Sequence, residues 1–268
     1  MERPSWAPGE IDLERPSIAR IYDYWLGGSH NFEVDREMAH EAARAVPELP
    51  QVMRANRAFL RRAVRYLAGE GIRQFLDLGS GIPTVGNVHE VAQTTAPETH
   101  VVHVDLDPVA VAHSQAILVR NEYATVVQAD LREPGRILGD PEVRGLLDLS
   151  RPVALLLVSV LHLLPDADDP WGIVAQYRDA IPSGSYIAIS HGGYEGRDGL
   201  AARASELSRR STHAFSPRSR ERIEALFDGF ELVDPGLVHL AVWRPDSVEE
   251  ARSFPEGFPD FAGVGRKP

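Results

Sequence analysis

The rhythm of apolar positions changes near residue 70, and that change divides the chain. Before it, apolar residues recur at three- and four-residue intervals: Ala55, Phe59, Ala63, Tyr66 and Leu67 share one stripe and predict a helix over 54–68. Ser17 stands at a cap position ahead of a short helix closed by Gly27 and Gly28, and a second helix is predicted over 34–45. After residue 70 the apolar runs shorten to strand length, at 73–78, 101–105, 124–128, 153–159 and 185–190. Helical stretches fill the intervals at 86–94, 108–121 and 170–181, the alternation that a parallel sheet covered on both faces requires. A polar helical stretch over 199–211 and a helix over 216–229 precede two more strands, at 230–234 and 237–243. The Pro235-Gly236 link between these is short enough to predict an antiparallel hairpin. The expected organisation is a loosely ordered, proline-bearing arm over 1–16, a helical lid or substrate region over 17–70, a sheet domain over 71–246 and a tail over 247–268.

Composition narrows the function. A net charge of −11 disfavours nucleic acid as the main partner, because binding a phosphate backbone needs clustered lysine and arginine. The five arginines within 54–65 fall at helical spacing and read as a solvated face. The absence of cysteine excludes disulfides, thiolate nucleophiles and cysteine-ligated zinc. The ten histidines contain no H-E-x-x-H pattern, so no metal site is expected. The acidic opening MERPSWAPGEIDLERPS has no apolar centre of the kind a secretory leader needs. The longest apolar run, 153–164, is shorter than the ~18 residues of a membrane span, so the expected protein is cytoplasmic with no membrane partner.

Ligands of an open parallel sheet lie beyond the carboxyl ends of its strands, so the residues ending each predicted strand are the ones to inspect. The first strand delivers Asp77 into Gly79-Ser80-Gly81; the second ends on Asp105, followed by Leu106 and Asp107. Asp130 and Leu131 follow the third, and Ser159, Val160, Leu161 and His162 the fourth. Three carboxylates at successive strand ends would repel a pyrophosphate. They suit a ligand rich in donors and positive charge: hydroxyls, an exocyclic amine, an ammonium and a sulfonium. Asp105 stands 24 residues beyond Gly81, near the distance at which an acidic residue takes a ribose diol, and Asp130 is placed to accept from an adenine amine. Asp107 before Pro108 reads as a helix cap. The third glycine of the dinucleotide fingerprint is missing, with Thr84 in that region, which counts against an NAD(P)-dependent oxidoreductase.

Residues 73–165 resemble class I S-adenosylmethionine-dependent methyltransferases. Asp77-Leu78-Gly79-Ser80-Gly81 is similar to their D-x-G-x-G loop, His103-Val104-Asp105-Leu106-Asp107-Pro108 to their ribose-binding segment, and Ala129-Asp130 to their adenine-binding acidic position. Val160-Leu161-His162-Leu163-Leu164-Pro165-Asp166 is similar to the stretch after the fourth strand in many small-molecule members. Over 16–36, 54–84, 86–93 and 236–246 the chain also resembles a narrower, mainly actinomycete family of bacterial methyltransferases.

The resemblance implies an α/β Rossmann-like fold: a mostly parallel seven-stranded sheet with a C-terminal antiparallel hairpin and an N-terminal helical lid. It implies S-adenosyl-L-methionine as cofactor and a small-molecule methyl acceptor. The implied cofactor-binding residues are Asp77, Gly79, Ser80, Gly81, Asp105, Leu106, Asp130, Leu131, Ser159 and Val160. Asn87 divides between the cofactor and a helix cap, and Arg20, Tyr22 and Asp23 of the lid are expected to reach cofactor or substrate. The glycines admit backbone N–H groups to the ligand, and the N-terminus of the helix that follows is offered to its carboxylate. His162, His191 and Tyr22 are the catalytic candidates, with no base assigned because several acceptor types need none. A silent cofactor-binding regulatory module is the alternative of another class. A nucleic-acid methyltransferase is disfavoured by charge and by Ser159-Val160-Leu161-His162 standing where an N-P-P-Y or Pro-Cys motif belongs. The glycine-rich stretch 191–199 is expected to border the substrate cavity.

Overall fold

Three helices precede the first strand: α1 (Ile18–Trp25), α2 (Glu33–Ala45) and α3 (Leu49–Gly69). The computed structural model describes residues 12–84, 86–194, 198–252, 254 and 258–268, so most of the predicted arm and positions 195–197 of the glycine-rich stretch lie outside the described residues. α3 starts earlier than its apolar stripe suggested, with Pro50 in its first turn, where a missing N–H costs no helical hydrogen bond. Ser17 precedes α1, but its hydroxyl donates to Asp107 instead of capping. Its backbone N–H donates to Asp35 Oδ1 at 2.9 Å.

The sheet is built from β1 (Gln74–Leu78), β2 (His100–Asp105), β3 (Ala124–Gln128), β4 (Ala154–Val158), β5 (Tyr186–Gly192), β6 (Glu231–Leu232), β7 (Val238–His239) and β8 (Asp260–Arg266). Between them lie α4 (Val88–Thr95), α5 (Pro108–Leu118), α6 (Pro134–Gly139), α7 (Pro141–Leu146), α8 (Pro170–Asp179), α9 (Asp198–Ser208), α10 (Arg220–Glu224) and α11 (Val248–Arg252). Strands run in the order β3-β2-β1-β4-β5-β8-β6, with β7 also on β8. β1 to β5 are mutually parallel, and β8 is antiparallel to β5, β6 and β7.

The antiparallel edge differs from the predicted hairpin. β6 and β7 each pair with β8, which comes from the stretch read as a tail, and the sheet has eight strands instead of seven. Phe261, Ala262 and Val264 of β8 are buried, but Gly263 and Gly265 dilute the apolar signal. Both glycines are required by packing: a Cβ on Gly265 would lie 2.8 Å from Phe230 Cβ, and one on Gly263 3.1 Å from the Phe227 ring.

Alternate residues of the central strands feed two cores. Leu76, Leu78, Leu155, Leu157, Ile187 and Ile189 pack with Ile173 and Tyr177 of α8, while Phe75, Leu156, Ala188 and Val264 pack with Phe59, Ala63 and Leu67 of α3. Fully burying side chains such as Phe59 and Leu67 stabilises the fold by about 1.5–3 kcal/mol each. That packing fixes α3 against the sheet, and it turns two of its arginines inward. Arg62 donates to Trp243 O at 2.9 Å, Leu240 O at 3.1 Å and Glu250 Oε1 at 2.5 Å, and Arg57 is buried as well. The solvated arginine face therefore holds for Arg54 and Arg65 but not for these two.

Candidate active site

The strand order reverses between β1 and β4, and beyond their carboxyl ends opens a cavity of about 480 Å³, within the range of small-molecule sites. The glycine loop forms its floor. Gly79 has φ +76°, and a Cβ there would lie 2.4 Å from Val160 Cγ2; Gly81 has φ +67°, and a Cβ there would meet nothing within 4 Å. One glycine is thus demanded by packing and the other leaves an open approach on the cavity side. The Gly79 and Ser80 N–H groups donate to Val104 O at 2.8 and 3.1 Å. Ser80 Oγ is buried with no hydrogen-bond partner among the described residues, a polar atom that calls for a ligand.

Asp77, Asp105 and Asp130 all line this cavity, and each already has one protein partner. His103 Nδ1 donates to Asp77 Oδ2 at 2.9 Å, and His103 Nε2 lies 3.0 Å from Nδ1 of buried His89. Burial, reinforced by His103, lowers the His89 pKa to about 4, so that end of the chain is neutral. Asp105 accepts from Gly81 N–H at 2.7 Å and Asp107 N–H at 2.8 Å; burial outweighs these and raises its pKa to about 6. Asp107 caps α5 as expected, accepting from Val109 N–H at 2.8 Å. Asp130 is gripped by Arg132, whose Nε and Nη2 lie 3.0 and 2.6 Å from Oδ2, and this pairing lowers its pKa. Of the three acids, Asp130 is the least available to a ligand. Leu106, 44% exposed, and Leu131 add apolar surface beside them.

The lid residues divide by role. Arg20 lines the cavity, but its guanidinium is tied to Asp35 Oδ1 at 3.2 Å, Asp12 O at 3.2 Å and Arg15 O at 2.7 Å. Asp23 lies away from the cavity and knits the turn after α1, accepting from His30 N–H, Asn31 Nδ2 and Thr84 Oγ1 at 2.8–2.9 Å. The structure therefore makes Asp23 a scaffold residue. Tyr22 reaches the cavity and heads a buried chain: its hydroxyl donates to Met53 O at 3.0 Å and accepts from Asn56 Nδ2 at 2.9 Å. Asn56 Oδ1 accepts from Ser190 Oγ at 2.5 Å, and Ser190 Oγ accepts from Ser159 N–H at 2.9 Å. Ser159 has φ +60°, a strained conformation for a non-glycine residue, and the chain holds it at the end of β4.

Arg57 is the site residue that sequence reasoning missed. It lines the cavity, is 7% exposed, stacks over Tyr22 at 5.7 Å, and its Nε has no hydrogen-bond partner among the described residues. Two expectations give way to it. Asn87 is absent from the cavity lining and sits at the start of α4, its N–H donating to Glu90 Oε2 at 2.9 Å. α4 itself begins only at Val88, so its N-terminus is not the cationic end of the glycine loop.

The histidines are spent locally. His191 lines neither cavity: Nδ1 donates to Gly192 O at 2.8 Å and Nε2 accepts from Arg218 Nη1 at 2.8 Å, while burial pushes its pKa well below the ordinary value. It is a structural residue, not a base. His162 lines a second, smaller chamber, but its Nδ1 accepts from Gly192 N–H at 3.1 Å, which leaves the proton on Nε2. That bond occupies the one lone pair of the neutral ring, and burial, reinforced by Arg218, lowers its pKa to about 3, so it is also too weak a base to take a substrate proton near neutrality. Among the described residues of the glycine-rich stretch, Gly193 borders this chamber. Among the described residues no cluster of three metal-ligating side chains occurs, and no helix is long and apolar enough to cross a membrane.

A family model described as S-adenosyl methyltransferase matches residues 4–268. Among solved structures, a candidate methyltransferase from Thermobifida fusca YX is 41% identical across 98% of this chain and 99% of its own, with a TM-score of 0.88. A DUF574 family protein from Streptomyces avermitilis is 40% identical across 97% of this chain and 100% of its own, with a TM-score of 0.89. Human N-acetylserotonin methyltransferase, solved with S-adenosylmethionine, is 16% identical across 95% of this chain and 63% of its own, with a TM-score of 0.50; the likeness is one of fold. No curated protein matches.

Proposed function

The chain belongs to the S-adenosyl methyltransferase family and is an S-adenosylmethionine-dependent methyltransferase, and from that premise we propose that it methylates a small molecule, with its cofactor held in the larger cavity by the residues described. The observation that carries this reading is the combination, around one cavity, of an open face at Gly81 with a Ser80 hydroxyl and a buried Arg57 Nε that have no hydrogen-bond partner among the described residues. Those groups fit the amino-acid end of the cofactor: Arg57 pairs with its carboxylate and the Ser80 hydroxyl completes that cradle, while the loop N–H groups of Gly79, Ser80 and Gly81 hold the loop itself on Val104 O and Asp105. Asp105 keeps lone pairs for the ribose hydroxyls, while Leu106 and Leu131 flank the base. Each charge-assisted hydrogen bond of this kind contributes about 1.5–3 kcal/mol.

Bound S-adenosylmethionine supplies a methyl group already activated by its sulfonium. The protein's task is alignment, which can supply part of the ~7–11 kcal/mol available from proximity and orientation. Tyr22, Asn56, Ser190 and Ser159 form the rigid wall that does this, because their chain fixes α1 against the ends of β4 and β5. Titrating S-adenosylmethionine and, separately, NAD into the protein by calorimetry tests the reading. We expect saturable binding of the first only, weakened at least tenfold in Asp105→Ala; a folded protein that binds neither would sink it.

A further inference from the structure

The smaller chamber has a volume of about 150 Å³ and shares Ile18, Tyr22, Ser159 and Leu163 with the cofactor cavity. Its other walls are chiefly apolar, including Ile21, Trp25, Met38, Met53 and Phe215. An apolar space of about 150 Å³ is what a benzene ring fills inside a protein. Polar side chains on its wall are few, and most are committed: the Tyr22 hydroxyl to Met53 O and Asn56, and His162 Nδ1 to Gly192 N–H. Asp260, at the start of β8, is the ionisable exception among the described residues. Among the described residues its carboxylate has no hydrogen-bond or ion-pair partner, and it faces Tyr22, whose phenol pKa is raised by burial and, to a smaller extent, by this carboxylate.

We propose that this chamber is the methyl-acceptor site and that it takes a single-ring phenol, whose hydroxyl is held and deprotonated by Asp260. The proposal rests on the methyltransferase reading above, since the acceptor must touch the contents of the neighbouring cavity. A carboxylate left without a donor in apolar surroundings is costly unless a ligand supplies one. Burial raises the Asp260 pKa to about 7, which suits a general base working near neutrality. Neither neighbour competes for the proton, because Tyr22 and His162 are both neutral there. In the step, the phenol proton passes to an Asp260 oxygen as the phenol oxygen bonds the methyl carbon. The carbon–sulfur bond breaks with its electron pair staying on sulfur, now a neutral thioether, and Asp260 then releases the proton to solvent. An ammonium acceptor fits less well, because it has no lone pair until it loses its proton.

The test uses the full chain saturated with S-adenosylhomocysteine. Phenol, aniline and benzylamine are titrated by ligand-detected NMR against wild type, Asp260→Asn and Ala42→Leu, the last filling the chamber from α2. We expect phenol to bind saturably, at least tenfold more weakly in either variant, with S-adenosylhomocysteine affinity unchanged within about twofold. Single-turnover methylation of phenol should fall about 10²–10⁴-fold in Asp260→Asn. If wild type binds S-adenosylhomocysteine but no phenol, or binds the amines preferentially, or if both variants leave phenol binding intact, the acceptor proposal is overturned and the cofactor reading stands. Failure to bind S-adenosylhomocysteine would instead overturn the methyltransferase reading on which the proposal rests.

Discussion

The two glycines of the loop, Gly79 and Gly81, should fail in different ways when a methyl group is added, because the structure gives them different neighbours. Both have positive φ, and an alanine in that region costs about 1–2 kcal/mol at either site. At Gly79 the new Cβ also falls 2.4 Å from Val160 Cγ2 and 2.9 Å from Val160 Cβ, and overpacking of this kind adds about 1–3 kcal/mol. Gly79→Ala should therefore destabilise the protein by about 2–5 kcal/mol, and Gly81→Ala by only about 1–2 kcal/mol. At Gly81 the methyl group instead enters the space the ligand needs, so cofactor affinity should fall at least tenfold, equivalent to about 1.4 kcal/mol. Urea denaturation of the apo protein separates the stabilities, and calorimetric titration of S-adenosylhomocysteine separates the affinities. Val160→Ala removes both Cγ atoms, so in the Gly79→Ala background it should return about 1 kcal/mol or more as a coupling energy. Equal stability losses at the two glycines, no coupling to Val160, or wild-type affinity in Gly81→Ala would refute the assignment of one glycine to packing and the other to the ligand.

Arg57→Met should weaken S-adenosylmethionine about 10- to 100-fold while leaving 5′-methylthioadenosine, which has no carboxylate, nearly unaffected; equal losses for both ligands would place Arg57 elsewhere in the site. Asp105 carries two opposing pH dependences. Its folded pKa, raised by burial to about 6 from an ordinary value near 3.8, makes its stability contribution full below 3.8 and lost as pH rises through 6. Cofactor affinity, which needs the carboxylate, should decline as pH falls through 6, and titrations at pH 5 and 7.5 with Asp105→Asn as control will show whether it does. Asn56→Leu strands the Tyr22 and Ser190 hydroxyls, so it should cost about 1–3 kcal/mol in urea denaturation. Amide exchange should then rise more in α1 than in α5; uniform exchange would deny the chain a role in holding the lid.

What could be read in the sequence followed from burial. β1 to β5 are covered on both faces, so their apolar runs are nearly continuous and their acidic ends stand out against them. β8 escaped because two of its residues are glycines that leave room for Phe227 and Phe230, and a strand of small residues has no hydrophobic signature. Arg57 escaped for a different reason: helical periodicity groups arginines on a face but cannot say whether that face meets water or a cavity, and only the packing of α3 on the sheet decides. Asn87, His162 and His191 were drawn toward the site by their nearness in sequence to motif residues, yet Asn87 opens α4 outside the cavity lining, His162 commits its accepting nitrogen to Gly192, and His191 commits both ring nitrogens to Gly192 and Arg218. The two charged groups missed in this way, Arg57 and Asp260, come from a helix before the βαβ core and a strand after it. The core segment from β1 to β4 carries the recurrent loop and the acidic ends, and its requirements are those of a shared cofactor. The elements flanking it carry no such motif, so a charged side chain can sit in a stretch with no signature at all, and only the fold brings Arg57 to the wall of the larger cavity and Asp260 to that of the smaller.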